Sequence, residues 1–152
     1  MHLRAAHLCD YAEVREGLLT IVSAGVTRLW RADLPAPMAI FVALQIELDA
    51  SERPLPHELH VVITSPSSVE VASIRGGLQV QIGAASQFDA DEVALVSLPL
   101  DLRGVGVAEY GWHTIAVHVD DQPLGSMRVK VAKPPSSPTG GPPPVGDSRR
   151  PN

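Results

Sequence analysis

Alternation of apolar and polar positions with a period of two runs through most of this chain. Its clearest instance, His113-Thr-Ile-Ala-Val-His-Val-Asp, sets His113, Ile115, Val117 and Val119 on one face and Thr114, Ala116, His118 and Asp120 on the other. The same period puts Leu59, Val61 and Ile63 nearer one face of residues 57–64. It also puts Leu95, Ser97 and Pro99 on one side of residues 93–100. Further strands are predicted at 2–9, 18–30, 38–48, 69–82 and 124–131, each bounded by Gly, Pro, Asp or Ser. Gly76-Gly77 predicts a bulge in the long segment 69–82. No stretch keeps a helical period; only residues 12–19 could make a turn or two of helix, and Gly17 opposes more.

Eight strands with almost no helix to cover them must bury their apolar faces on one another. The prediction is an all-β, two-sheet antiparallel sandwich, immunoglobulin-like in architecture, over residues 1–132. Residues 133–152, KPPSSPTGGPPPVGDSRRPN, hold seven prolines, three glycines and Val145 as the one large apolar residue. Such a segment cannot build a core, so a disordered Pro/Gly-rich tail of polyproline II character is predicted there. Its Pro-x-x-Pro spacing matches what aromatic grooves recognise, although a plain spacer is the simpler reading.

Composition narrows the class. Of 152 residues 45% are hydrophobic but only 4% aromatic, so the core must be mainly Val, Ile, Leu and Ala. The net charge is -5, and residues 1–132 carry nine Lys/Arg against sixteen Asp/Glu, which disfavours a nucleic-acid backbone as partner. The longest apolar run, 38–44, is far below the roughly 18 residues of a membrane span. The N-terminal residues lack the apolar stretch of roughly 7 to 15 residues that a secretion signal needs. A single cysteine, Cys9, allows no internal disulfide. A cytoplasmic location is therefore expected, with no membrane partner.

Cys9-Asp-Tyr-Ala, Gly17-Leu-Leu-Thr-Ile-Val and Gly25-Val-Thr-Arg resemble the opening of a family of small uncharacterised bacterial proteins known only as a domain of unknown function. That family also closes with a Gly-x-Tyr strand, an Asp-Gly turn and a last strand. Here the corresponding residues are Gly111-Trp-His113, then Asp120-Asp-Gln-Pro-Leu124, then Met127-Arg-Val-Lys-Val131. His113 stands where the family has Tyr, and Asp121 where the turn glycine would be. The first departure removes a tyrosine-corner bond that the nearby Tyr110 could supply instead. The resemblance implies a β-sandwich and no assigned activity.

Candidate chemistry is sparse. His57-Glu-Leu-His60 is one residue short of the HExxH metal motif, and in a strand its two histidines point to opposite faces; the plain reading is a strand edge with outward polar residues. His7 and Cys9 share a face with Leu3 and Ala5, which favours a buried Cys and a packed His over a nucleophile or metal pair. His113 is expected to be a hydrogen-bonded core residue. No GxSxG elbow, phosphate loop or GxGxxG is present, so no catalytic residue and no cofactor are predicted. If every strand crosses the sandwich once, alternate connections meet at one pole. They carry Asp10, Glu13 and Glu16; Asp49 and Glu52; Asp89, Asp91 and Glu92; and Asp120 and Asp121. Within that pole Asp89, Asp91, Asp120 and Asp121 are the candidate calcium ligands, although no Asp-x-Asp-x-Asp-Gly loop is present. Trp30 and Trp112 could anchor a partner or close one end of the core. The function expected is therefore a non-enzymatic interaction or structural module, acting on a protein partner or by self-association through a sheet edge. An enzyme or calcium-dependent binder using the acidic loops or His7 and Cys9 is the alternative.

Overall fold

The computed structural model describes residues 1–80 and 92–135, which form twelve strands and no helix. The first six are β1 (His2–Cys9), β2 (Tyr11–Arg15), β3 (Leu18–Val22), β4 (Arg28–Trp30), β5 (Ala36–Pro37) and β6 (Phe41–Leu48). The other six are β7 (His57–Thr64), β8 (Glu70–Leu78), β9 (Ala94–Asp101), β10 (Gly106–Val107), β11 (Gly111–Val119) and β12 (Gln122–Ala132). β6 is the middle of a three-stranded antiparallel sheet, between β1 and β9. A five-stranded sheet runs β4-β12-β11-β7-β8 and is antiparallel except for β4, which lies parallel to β12. Val42, Leu44, Ile46 and Leu48 of the first sheet and Leu59, Val61, Ile63, Ile115, Val117 and Val119 of the second belong to one buried cluster. The protein is all-β, and the arrangement is compatible with an immunoglobulin-like sandwich. His113, Ile115, Val117 and Val119 all point inward, as their alternation requires.

Residues 12–19 are not helical. β2 and β3 pair as a hairpin from Tyr11↔Val22 to Arg15↔Leu18, closed by Glu16 and Gly17, both at positive φ (50° and 78°). The predicted strand 18–30 is broken as well, at Ser23 and Gly25 with φ of 56° and 93°, into β3 and the three-residue β4. The hairpin lies over the outer face of the three-stranded sheet, where Ala12, Leu19 and Ile21 pack with Cys9, Phe41 and Ala43. Phe41-Val-Ala-Leu44 is thus buried on both faces, which explains why it reads as an unbroken apolar run. Gly76 and Gly77 pair in regular register with Leu59 and Glu58. The irregularity of β8 falls instead where Ile63 pairs Ala72 and Thr64 pairs Glu70, so Val71 is the bulged residue. Residues 81–82 of that predicted strand, and residues 136–152 of the predicted tail, lie outside the described residues.

Two sites hold unfavourable local chemistry. His113 is fully buried, yet neither ring nitrogen has a hydrogen-bond partner among the described residues, contrary to the expectation of a bonded core histidine. Its alternation with Ile115, Val117 and Val119 carries the ring into the interior. Between β11 and β12 the turn Asp120-Asp121 has φ of 50° and 61°, a backbone that glycine adopts without strain.

An unpaired buried imidazole costs about 1–3 kcal/mol, so His113→Leu is expected to raise the free energy of unfolding by about 1 kcal/mol in urea titration. A loss of stability would mean that the ring has a partner. Asp121→Gly is expected to stabilise by up to about 1 kcal/mol in the same assay by relieving the left-handed strain.

Candidate functional site

At one end of the sandwich the loop after β6, the start of β7 and the β11–β12 turn are tied together. His57 Nδ1 lies 2.6 Å from Asp120 Oδ2 and Nε2 lies 2.9 Å from the Glu52 carbonyl, so both ring nitrogens face acceptors. Asp120 Oδ1 accepts the Glu58 backbone N–H at 2.8 Å, and the terminal amine of Met1 reaches Glu52 Oε1 at 2.6 Å. Burial pulls the His57 pKa down, but the Asp120 bond, the Glu52 carbonyl and the two nearby carboxylate charges outweigh it and leave the pKa raised. The bond from His57, with the Glu58 amide, holds Asp120 below the usual carboxylate range. His57 is therefore an inward, bonded residue rather than an outward one. As expected it does not share a face with His60, which lies beside His118 at 6.1 Å between ring centres.

The other sequence candidates are dispersed. Cys9 is fully buried under the hairpin, its Sγ 3.8 Å from the Phe41 carbonyl, and burial followed by the Asp10 charge pushes the thiol pKa up. His7 is exposed rather than packed, and a bulge between Leu3 and Ala5 turns Leu3 to the inner face, away from it. The acidic connections do not all meet at one pole. Asp10 follows Cys9, which pairs with Phe41 at the start of β6, whereas Asp49 follows the far end of that strand. The broken segment 18–30 removes one crossing, and parity fails with it. Asp49, Glu52, Asp120 and Asp121 remain at a common end, while Asp89 and Asp91 lie outside the described residues. Among the described residues no group of three or more His, Cys, Asp or Glu side chains is placed to hold a metal ion. Nor is any helix long and apolar enough to cross a membrane.

The outer face of the five-stranded sheet gathers a different set. Trp112 alternates with the inward His113 and therefore points out, and Arg28 and Trp30 flank the buried Leu29 in β4. Trp30 and Trp112 are 45% and 44% exposed, so they do not close the end of the core. Arg28 lies 5.1 Å from the centre of the Trp30 ring. Arg128 and Lys130 lie 4.9 Å and 5.9 Å from that of Trp112. Lys133 lies 5.5 Å from the ring of Tyr110. Register builds this patch: Trp112 pairs with Lys130, Lys130 with Arg28, and Ala132 with Trp30, so the side chains stand in neighbouring rows. Tyr110 makes its hydroxyl bond, at 2.9 Å, but to the Ala32 carbonyl, anchoring the chain after β4 rather than a nearby turn. The signal available beforehand was the alternation of Trp112, Arg128 and Lys130 with inward residues. What it lacked was the neighbour order that joins them to Arg28 and Trp30.

This chain matches the family described as "Family of unknown function (DUF6941)" over residues 4–132. No curated protein matches it.

The His57–Asp120 pair predicts a stability optimum. The raised His57 pKa contributes stability that is complete below about 6.5 and is lost as pH rises through the raised value; the lowered Asp120 pKa contributes stability that is complete above about 3.8 and is lost as pH falls. Thermal melting across pH should therefore peak between these limits, and His57→Gln should flatten the alkaline flank. An unchanged alkaline flank in that variant would refute the linkage.

Proposed function

The chain belongs to this family of unknown function, and from that premise we propose that it is a non-enzymatic β-sandwich module whose work is to bind another protein through the outer face of its five-stranded sheet. The observation that carries this reading is the exposure of both tryptophans on one face. A tryptophan buries on the order of 150–250 Å² when covered, and such anchors supply most of the energy at protein contacts. In a domain with 4% aromatic residues, placing them outside an aliphatic core forgoes a large stabilisation. Contact with a partner recovers it. The cations stacked on these rings give the patch the Trp, Tyr and Arg composition typical of contact hot spots.

The sheet supplies a rigid platform for this. β11 is central, bonded to β12 on one side and β7 on the other, so Trp112 stands on backbone held from both sides. Trp30 lies on β4, the short edge strand beside β12.

Trp112→Ala should leave the fold intact, because the side chain is on the surface, and should abolish retention of any protein that the full-length wild type holds in affinity capture from its native cell. Melting temperature verifies the first point and mass spectrometry of the captured fraction the second. Retention of the same proteins by both forms would overturn the proposal.

A further inference from the structure

We infer that the partner offers this face an extended acidic polypeptide segment with carboxylates at alternate positions; the inference rests on reading the face as the contact surface. Ten Lys and Arg side chains fall among the described residues. Arg4, Arg15, Arg75 and Arg103 each hold a carboxylate. Arg31 donates to the carbonyls of Trp30, Pro37 and Met38, and Arg53 is buried. Of the remaining four, Arg28, Arg128 and Lys130 stand on the tryptophan face and Lys133 lies beside Tyr110 just beyond the strand ends; none forms an ion pair with a carboxylate among the described residues.

That distribution is unusual for a chain of net charge -5, which has carboxylates to spare. Lys130 and Arg28 are even register neighbours on adjacent strands, an arrangement of like charges that costs stability. A single Glu at either position would relieve it. Three cations held together on one face against that cost, without a carboxylate partner among the described residues, are complementary to an anionic surface brought from outside.

The spacing selects the form of the anion. Arg128 and Lys130 are two residues apart on one face of β12, and one face of an extended strand repeats every ~6.7 Å. An extended partner with acids at every second residue presents carboxylates at that interval. Arg28 lies one strand away, in the row of Lys130, and completes a shallow field rather than a long track. A nucleic acid fits less well. Its bases would need the ring faces that the stacked cations occupy at 4.9 to 5.9 Å. Its backbone would also run past these cations onto a domain whose residues 1–132 hold sixteen acids against nine bases. A carboxylate instead bonds the outward edge of a stacked guanidinium and leaves the ring contact in place.

Trp30 and Trp112 are the only two tryptophans, so their emission reports directly on the patch. The full-length chain is titrated with a Ser-Glu repeat peptide of about a dozen residues, with a Ser-Lys repeat of equal length, and with an oligothymidylate of matching charge. The expected result is a saturable change with the Ser-Glu peptide alone. It should weaken roughly fivefold between about 50 and about 300 mM salt and by at least about tenfold in the Arg128→Gln/Lys130→Gln variant. K130E, whose carboxylate would face Arg28, should lose the peptide while melting no lower than wild type, which separates charge recognition from folding. No saturable response to the Ser-Glu peptide, an equal response from the double variant, or tighter binding of oligothymidylate would overturn the inference. If the acidic probe fails while Trp112→Ala still loses captured proteins, the partner chemistry alone falls; if both fail, the contact surface falls with it.

Discussion

The inward row of β6, Val42, Leu44, Ile46 and Leu48, fully buried with Val61, Ile63, Ile115 and Val117 of the facing sheet, is the interaction on which the rest of this structure depends. Each such side chain contributes about 1.5–3 kcal/mol when removed from water, and all eight are aliphatic. β6 is also covered on its outer face, because the β2–β3 hairpin folds back over Phe41 and Ala43. The first half of this strand therefore has two dry faces, and the hairpin is the lid of a second, smaller core.

An aliphatic core displaces the larger rings. Phe41 stays inside, under the hairpin, while Trp30, Tyr110 and Trp112 stand on the surface, where Arg and Lys side chains lie against them. The two outer faces of the sandwich consequently differ. That of the three-stranded sheet is covered in part by the β2–β3 hairpin, and that of the five-stranded sheet presents charge and exposed aromatic area. Cation–aromatic contacts of about 0.5–1 kcal/mol each keep the rings ordered without satisfying the cations, whose charge remains available.

Much of the fold was legible because β-strands leave a period-two trace wherever one face is buried. β7 and β11 carry it cleanly, and their inward residues were identifiable one by one. The hairpin was not, because Ala12, Val14, Leu19 and Ile21 are few and are split by a turn whose Glu16-Gly17 pair also suits a helix end. That omission spread: counting 18–30 as one crossing set the wrong parity for every later loop and gathered acids at one pole that occupy both ends. His57 shows a different limit. Its inward phase follows from Leu59 and Val61, but its partner Asp120 is 63 residues away in sequence, and no local pattern indicates that a turn aspartate will reach it.

The sequence by itself determined that the chain is all-β and which residues of its most regular strands, β7 and β11, turn inward. Only the tertiary structure decided which strands are neighbours. Strand order is set by hydrogen bonds between residues distant in the chain and by the packing of whole faces, and neither is written in local periodicity. The order β4-β12-β11 brings Arg28, Arg128, Lys130 and the two tryptophans from separate segments into one field.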